Sequence, residues 1–225
     1  MNITDFIIGY KTGAAKGGSE SGGGENRIDY TLNASGQVTA VKLYGFTTIP
    51  ERCFSNCGAL TSIDFSECPD LTTIGDYAFY YCSALTNITI PAGVTSIGSH
   101  AFLGCSKLTS INLPSSVTSV GNYAFGYCSA LTSAYLNNVV AIGDNAFYDC
   151  SELTSIAIPA TTTRIGKSAF KNCSKLKSVD FRDDTTWYWT TDSSYTNGSS
   201  MSVWSSQINA SNLTGDYTDV YWYKL

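Results

Sequence analysis

Charge is scarce in this sequence. Lys, Arg, Asp and Glu make up 14% of its 225 residues, against the usual quarter. Ser, Thr, Asn, Gly and Tyr carry the polar surface instead. The net charge is −5, so the broad basic footprint of a nucleic-acid binder is missing and no such partner is expected. Histidine is almost absent: His100 stands alone, at a solvent-facing turn position, with no base–nucleophile arrangement around it. Cys-x-x-Cys does not occur, which excludes a zinc knuckle or a redox pair of that type. The carboxylates Asp76, Asp144, Asp149 and Glu152 are scattered and lack the spacing of a calcium loop. Gly166-Lys167-Ser168 ends like a phosphate loop, yet Thr161 stands where the first Gly is required. No catalytic residue, metal site or cofactor is therefore expected, and the reading is non-enzymatic. No run of about 18 apolar residues exists, so no membrane span is expected. Residues 1–9 lack the basic start and long apolar core of a secretory signal.

What the sequence does have is a repeat. Ile97-Gly98-Ser99-His100-Ala101-Phe102-Leu103-Gly104-Cys105 is followed by Leu108, Ile111, Leu113 and Pro114. The same pattern starts at Ile74, Val120, Ile142 and Ile165, with a worn copy at Ile49. The spacings are 25, 23, 23, 22 and 23 residues. A period in the twenties with Leu-x-x-Ile-x-Ile is the leucine-rich-repeat pattern. Leu108, Ile111 and Leu113 face a core, while Ser110 and Asn112 face out of a short strand. Pro114 ends that strand because it cannot donate to a ladder. Val117 and Val120 turn back inward. Gly121 permits a tight turn into a helical or 3-10 element over Asn122–Tyr127, which buries Ala124 and Phe125. One unit cannot bury its own apolar face, but six stacked units share a continuous core.

Six of the eight cysteines, Cys57, Cys82, Cys105, Cys128, Cys150 and Cys173, share one repeat phase. Stacking sets them in a column roughly 5 Å apart, with parallel Cβ vectors that suit packed thiols better than disulfides. Cys53 replaces the Ala of Ala-Phe. Cys68, in a two-residue insertion, fits no column.

The chain divides into residues 1–25, a short apolar leader and Gly-rich linker; 26–45, a capping hairpin turning at Asn33-Ala34-Ser35-Gly36; 46–183, six repeats; and 184–225, an aromatic β-rich C-terminal cap. In the last segment Trp187–Thr191 and Val220–Lys224 read as strands, and Ser205–Leu213 as a short helix. The leader's Phe6, Ile7 and Ile8 either dock on another body, which would allow self-assembly through residues 1–25, or stay disordered.

The residues Ile97, Gly98, Ala101, Phe102, Cys105, Leu108, Ile111, Leu113 and Pro114 resemble the BspA-like leucine-rich repeats, as do their counterparts one period away. The departures are Cys53 for Ala, the insertion at Cys68-Pro69, Ala134 for Ile, and Asn137 and Arg182 for Pro. The resemblance implies an α/β, right-handed solenoid, with parallel short strands on one face and short helical or 3-10 turns on the other. It also implies a bacterial, phage or protist surface-associated recognition protein, often adhesive, and similar aromatic tails follow such repeats in gut-bacterial relatives.

Two surfaces are candidate binding sites for a protein or glycan partner. The strand face presents Asn87, Thr89, Asn112 and Tyr135 among small polar residues, which equally suit a solvated sheet. The outer turn presents Tyr77, Tyr80, Tyr81, Tyr123, Tyr127 and Tyr148, either as an outward ribbon or as packing over the turn layer. A structural component of a phage tail or surface appendage, assembled through the leader, is the alternative to a recognition module. Six basic residues, Arg164, Lys167, Lys171, Lys175, Lys177 and Arg182, crowd the last repeat, either to dock an acidic partner or as a solvated end.

Overall fold

The computed structural model describes residues 26–182, 186–191, 203–204, 211–216 and 219–224. The expected leader, 1–25, and most of the expected helix over Ser205–Leu213 lie outside them.

The repeat folds as a solenoid of about six turns, each with three stretches. The first stretch is the Leu-x-x-Ile-x-Ile strand. It forms β4 (Ser62–Glu67), β7 (Ser110–Asn112), β9 (Ser133–Tyr135), β11 (Ser155–Ile158) and β13 (Ser178–Phe181). Parallel pairing sets Ser110 against Ser133 and Asn112 against Tyr135, and likewise Ser155 against Ser178. Period-2 alternation then buries Ile111 and Ile156 and exposes the polar residues between them.

The second stretch is a run of two-residue strands: β3 (Thr48–Ile49), β5 (Thr73–Ile74), β6 (Ser96–Ile97), β8 (Ser119–Val120), β10 (Ala141–Ile142) and β12 (Arg164–Ile165). They stack parallel, Ile on Ile except for Val120 between Ile97 and Ile142. Thr hydroxyls at the corners donate to the preceding repeat's carbonyls, as Thr95 does to Thr72 and Thr132 to Thr109. Hydroxyls thus do on this surface what charged pairs do elsewhere, which fits the low charge content.

The third stretch, Gly-x-x-Ala-Phe-x-x-Cys, differs from the helical or 3-10 element expected at Asn122–Tyr127. Tyr123 and Tyr127 have φ of 53° and 57°, and the same two positions are left-handed in every repeat, as at Tyr77 and Tyr81. The N–H groups of Tyr77, Phe79 and Tyr81 leave the turn and donate to Ser99, Ala101 and Leu103 of the next repeat at 2.7–2.8 Å. Only the intervening Ala78, Tyr80 and Cys82 bond back within the turn. The reason is spacing. The stacked Phe rings show repeats 5.1–5.4 Å apart, whereas an α-helix needs about 10 Å of width. A left-handed residue other than Gly costs about 1–2 kcal/mol, and the inter-repeat hydrogen bond it frees offsets that cost.

Gly121 also acts differently from expectation. Its φ is not positive; a Cβ there would sit 2.6 Å from the Ser99 nitrogen and 2.7 Å from the Gly98 carbonyl carbon. Close approach to the preceding repeat is what requires Gly. The next residue locks that approach: Asp76 accepts from Ser99 N–H at 2.7 Å and Asn122 from Asp144 N–H at 2.8 Å.

The core contains a ladder of six parallel phenylalanines: Phe54, Phe79, Phe102, Phe125, Phe147 and Phe170. All eight cysteines are buried free thiols. Along the column, Cys82, Cys105, Cys128, Cys150 and Cys173 donate to the Phe carbonyl of the preceding repeat at 3.1–3.3 Å. Burial pushes the Cys57 and Cys105 thiols up to about 12 and lifts Cys82, Cys128 and Cys150 as well. At pH 8 a maleimide should label none of these thiols in the folded protein and all eight in denaturant. Below the unfolded thiol pKa both states are protonated and stability is at its full value. As pH rises from about 8.5 toward the raised folded values, only the unfolded chain ionises. The urea midpoint should therefore hold from pH 6 to 8 and fall between pH 9 and 11.

Both ends of the array are covered. In front, β1 (Arg27–Leu32) and β2 (Val38–Tyr44) form an antiparallel hairpin, and β2 runs parallel to β4. Asn33 Oδ1 accepts from the Ser35 and Gln37 N–H groups and fixes the turn. Behind, β16 (Tyr221–Tyr223) pairs antiparallel with β12 and carries β14 (Thr186–Thr190), which pairs β15 (Val203–Trp204). Trp187, Leu213, Val220 and Trp222 are buried there, and residues 212–216 form a single π-helical turn. Asn137, which replaces the strand-ending Pro, bonds to the Leu113 carbonyl and Asn112 through its amide.

Candidate functional site

The left-handed turn positions stack side chains into columns on the outer face. In the first column the Arg52 guanidinium lies 4.4 Å over the Tyr77 ring. Tyr77 stacks on His100 at 4.5 Å and 3°, and His100 stacks on Tyr123 at 5.1 Å and 15°. Tyr80 joins this column to Tyr81, through contacts of 5.5 Å to Tyr77 and 4.6 Å to Tyr81. At the other end Tyr148 meets both Tyr123 (6.2 Å) and Tyr127 (5.3 Å). All six sequence-chosen turn tyrosines thus belong to one chain of seven rings, Tyr81–Tyr80–Tyr77–His100–Tyr123–Tyr148–Tyr127. Tyr77, Tyr80, Tyr123 and Tyr148 are half-buried, and Tyr81 and Tyr127 at the two ends are 46% and 42% exposed. Gly104 makes room between those ends, since the Tyr81 ring lies 3.0 Å from where a Cβ would stand.

His100 is the residue that sequence reasoning placed wrongly. It is half-buried between two tyrosines rather than facing solvent, and its Nδ1 is buried without a hydrogen-bond partner among the described residues. Burial lowers its pKa, against an opposing pull from Asp76, so the ring stacks as a neutral aromatic. Its phase, shared with Tyr77 and Tyr123 at one repeat spacing, was the available signal.

The strand face gathers its residues in less depth. Asn87, Thr89, Asn112 and Tyr135 are all exposed, and Tyr135, at 60%, is the large side chain among them. The basic residues of the last repeat are partly matched: Lys175 pairs Glu152 at 2.7 Å, Arg182 pairs Asp180 at 2.9 Å, and Lys171 reaches Asp219 at 3.7 Å. Such exposed pairs contribute about 0–1 kcal/mol each. Among the described residues no cluster of three His, Cys, Asp or Glu side chains is placed to hold a metal, and no helix is long and apolar enough to cross a membrane.

A stack of 22- to 25-residue units with parallel strands, a buried Phe ladder and a patterned outer face defines a leucine-rich-repeat solenoid. The profile of the BspA type leucine rich repeat region matches six copies across residues 72–200, more than half of the chain, and the chain belongs to that family. It is similar to the solved leucine rich repeat protein of T. pallidum, at 26% identity, over 68% of this chain and 67% of that one, with a TM-score of 0.49. It is also similar to a leucine-rich repeat protein from Bacteroides ovatus (26% identity, 65% of this chain, 56% of that one, TM-score 0.41). A leucine rich cell surface protein from Faecalibacterium prausnitzii shares 29% identity over 66% of this chain and 40% of that one, with a TM-score of 0.41. The chain thus spans about half the length of the latter two. No curated protein matches it. The repeat architecture is of a typically non-enzymatic kind whose stacked units serve interaction.

Proposed function

We propose that this chain is a non-enzymatic recognition module that binds a protein or glycan through its turn-face tyrosines. One observation carries this reading: the continuous run of seven rings in contact, stacked about His100 and tilted or edge-on elsewhere, that ends in the exposed Tyr81 and Tyr127. Ring-to-ring contact holds these side chains before any ligand arrives, so little side-chain entropy is lost on binding. Tyrosine also offers an apolar face with a hydroxyl at its edge, which suits both protein and sugar surfaces. The strand face, made of short hydroxyl and amide side chains around Tyr135, offers less area of that kind.

The test is an array of glycans and extracellular proteins probed with the wild type, a Tyr81→Ala/Tyr127→Ala variant and a Tyr135→Ala variant. The double variant should lose at least tenfold in binding, while Tyr135→Ala retains it. Unchanged binding by the double variant removes the turn face as the site; loss with Tyr135→Ala moves it to the strands.

A further inference from the structure

The ladder of the strand face is interrupted twice, between β9 and β11 and, with a cavity beside it, between β4 and β7. β4 pairs only β2 and β7 pairs only β9. Among the described residues no backbone hydrogen bond joins residues 87–90 to the strand on either side, although Thr109 N–H still reaches the Thr86 carbonyl at the corner. Ile88 and Ile90 remain buried, so the segment keeps its inward and outward alternation and loses only its ladder. The two extra residues of the first repeat lie beside this segment, with Cys68 and Pro69 in the same lining as Thr89 and Pro91. Around Cys68-Pro69 the chain makes successive turns, Cys68 N–H to Phe65 and Leu71 N–H to Cys68.

A cavity of about 540 Å³ opens between β4 and the 89–93 segment, within the ~300–1,000 Å³ typical of binding cavities. Ile63, Phe65, Cys68, Pro91 and Ala92 supply apolar wall, and Asp64 is the charged residue in it. Asp64 and Glu67 share Lys42, at 3.4 Å each, and exposed Asp70 follows in the same loop, so this region is acidic on balance.

We infer that this slot takes an extended peptide segment of a partner protein by strand addition. Two facing edges with no backbone ladder between them, although the Ser66 N–H is taken by Asp64 Oδ1, call for donors and acceptors repeating along an extended chain, which a polypeptide supplies and a sugar does not. The apolar walls take alternate aliphatic side chains, and Asp64 favours a Lys or Arg beside them. This site is separate from the tyrosine face.

Heptapeptides selected from a random displayed library on the full chain give the probes, with affinities read by fluorescence polarisation. Winners should alternate aliphatic residues with a basic one. Ala92 and Thr89 are exposed, so Ala92→Trp and Thr89→Arg fill or alter the slot without entering the core. With thermal midpoints unchanged, each should weaken binding at least tenfold, as should N-methylation of interior peptide amides. Hydrogen exchange at residues 87–90 should slow when peptide is bound. The proposal is overturned if no peptide binds, if binding survives both slot variants or N-methylation throughout, or if Tyr81→Ala/Tyr127→Ala abolishes it instead.

Discussion

Phe102→Ala should destabilise the protein by about 3–5 kcal/mol, a large part of the ~5–15 kcal/mol typical of a folded domain. Phe102 is fully buried at the middle of the phenylalanine ladder, with rings at 5.1 Å and 5.3 Å on its two sides. Its carbonyl also accepts from the Cys105 N–H and the Cys128 thiol. Removing the ring leaves a void between repeats, and neither neighbour can move in without losing its own stack. Repeat arrays are held by nearest-neighbour interfaces, so one substitution weakens two of them. Urea unfolding should shift to a lower midpoint and separate into two phases, one for each half of the array. Phe170→Ala, with one phenylalanine neighbour at the end of the ladder, should cost less and unfold in a single phase. Equal costs at the two positions would contradict the coupling.

Gly121→Ala is the second large effect. Backbone conformation alone argues for a gain, because a Gly outside the left-handed region is usually improved by Ala, by about 0.4–1 kcal/mol. Packing argues the reverse. The methyl would stand 2.6–2.9 Å from Ser99 and Gly98 backbone atoms, and no side chain can rotate away to relieve it. Overpacking of this kind costs about 1–3 kcal/mol, sometimes more. Gly36→Ala is the comparison. Gly36 has φ 73° but open space around it, so only the strain of about 1–2 kcal/mol applies. The predicted order in denaturation midpoint is wild type, then G36A, then G121A. A G121A protein as stable as wild type would mean that the repeats can separate there at little cost.

The repeat period was legible because it is a one-dimensional property. Ile97, Phe102, Cys105, Leu108 and Ile111 recur at a fixed interval, and an interval of residues becomes a column of side chains once units stack. The thiol column and the register of Ser110 on Ser133 follow from the same counting. Conformation inside a unit was less legible. Ala-Phe between short polar residues reads equally as a turn of helix, and Tyr or His at φ near 55° is not something a side chain announces. The ring chain was half visible: six tyrosines could be picked out, but His100, which links them, has a polar side chain and was placed in water.

The unpaired segment at residues 87–90 had no sequence signal of its own. Leu85-Thr86-Asn87-Ile88-Thr89-Ile90-Pro91 fits the repeat as well as the copies that do form strands. A ladder is a relation between neighbouring units, and a pattern read within one unit cannot show whether the next unit comes into register with it.

The sequence by itself determined the solenoid, its inward columns and its buried thiols, because burial in a repeat depends on phase alone. Only the tertiary structure decided that the turns are left-handed ladders, that the glycines serve close approach, that seven rings join on one face, and that the ladder of the strand face breaks where it does. Each of those depends on the roughly 5 Å distance between repeats, and that distance is a property of the stack rather than of any single unit.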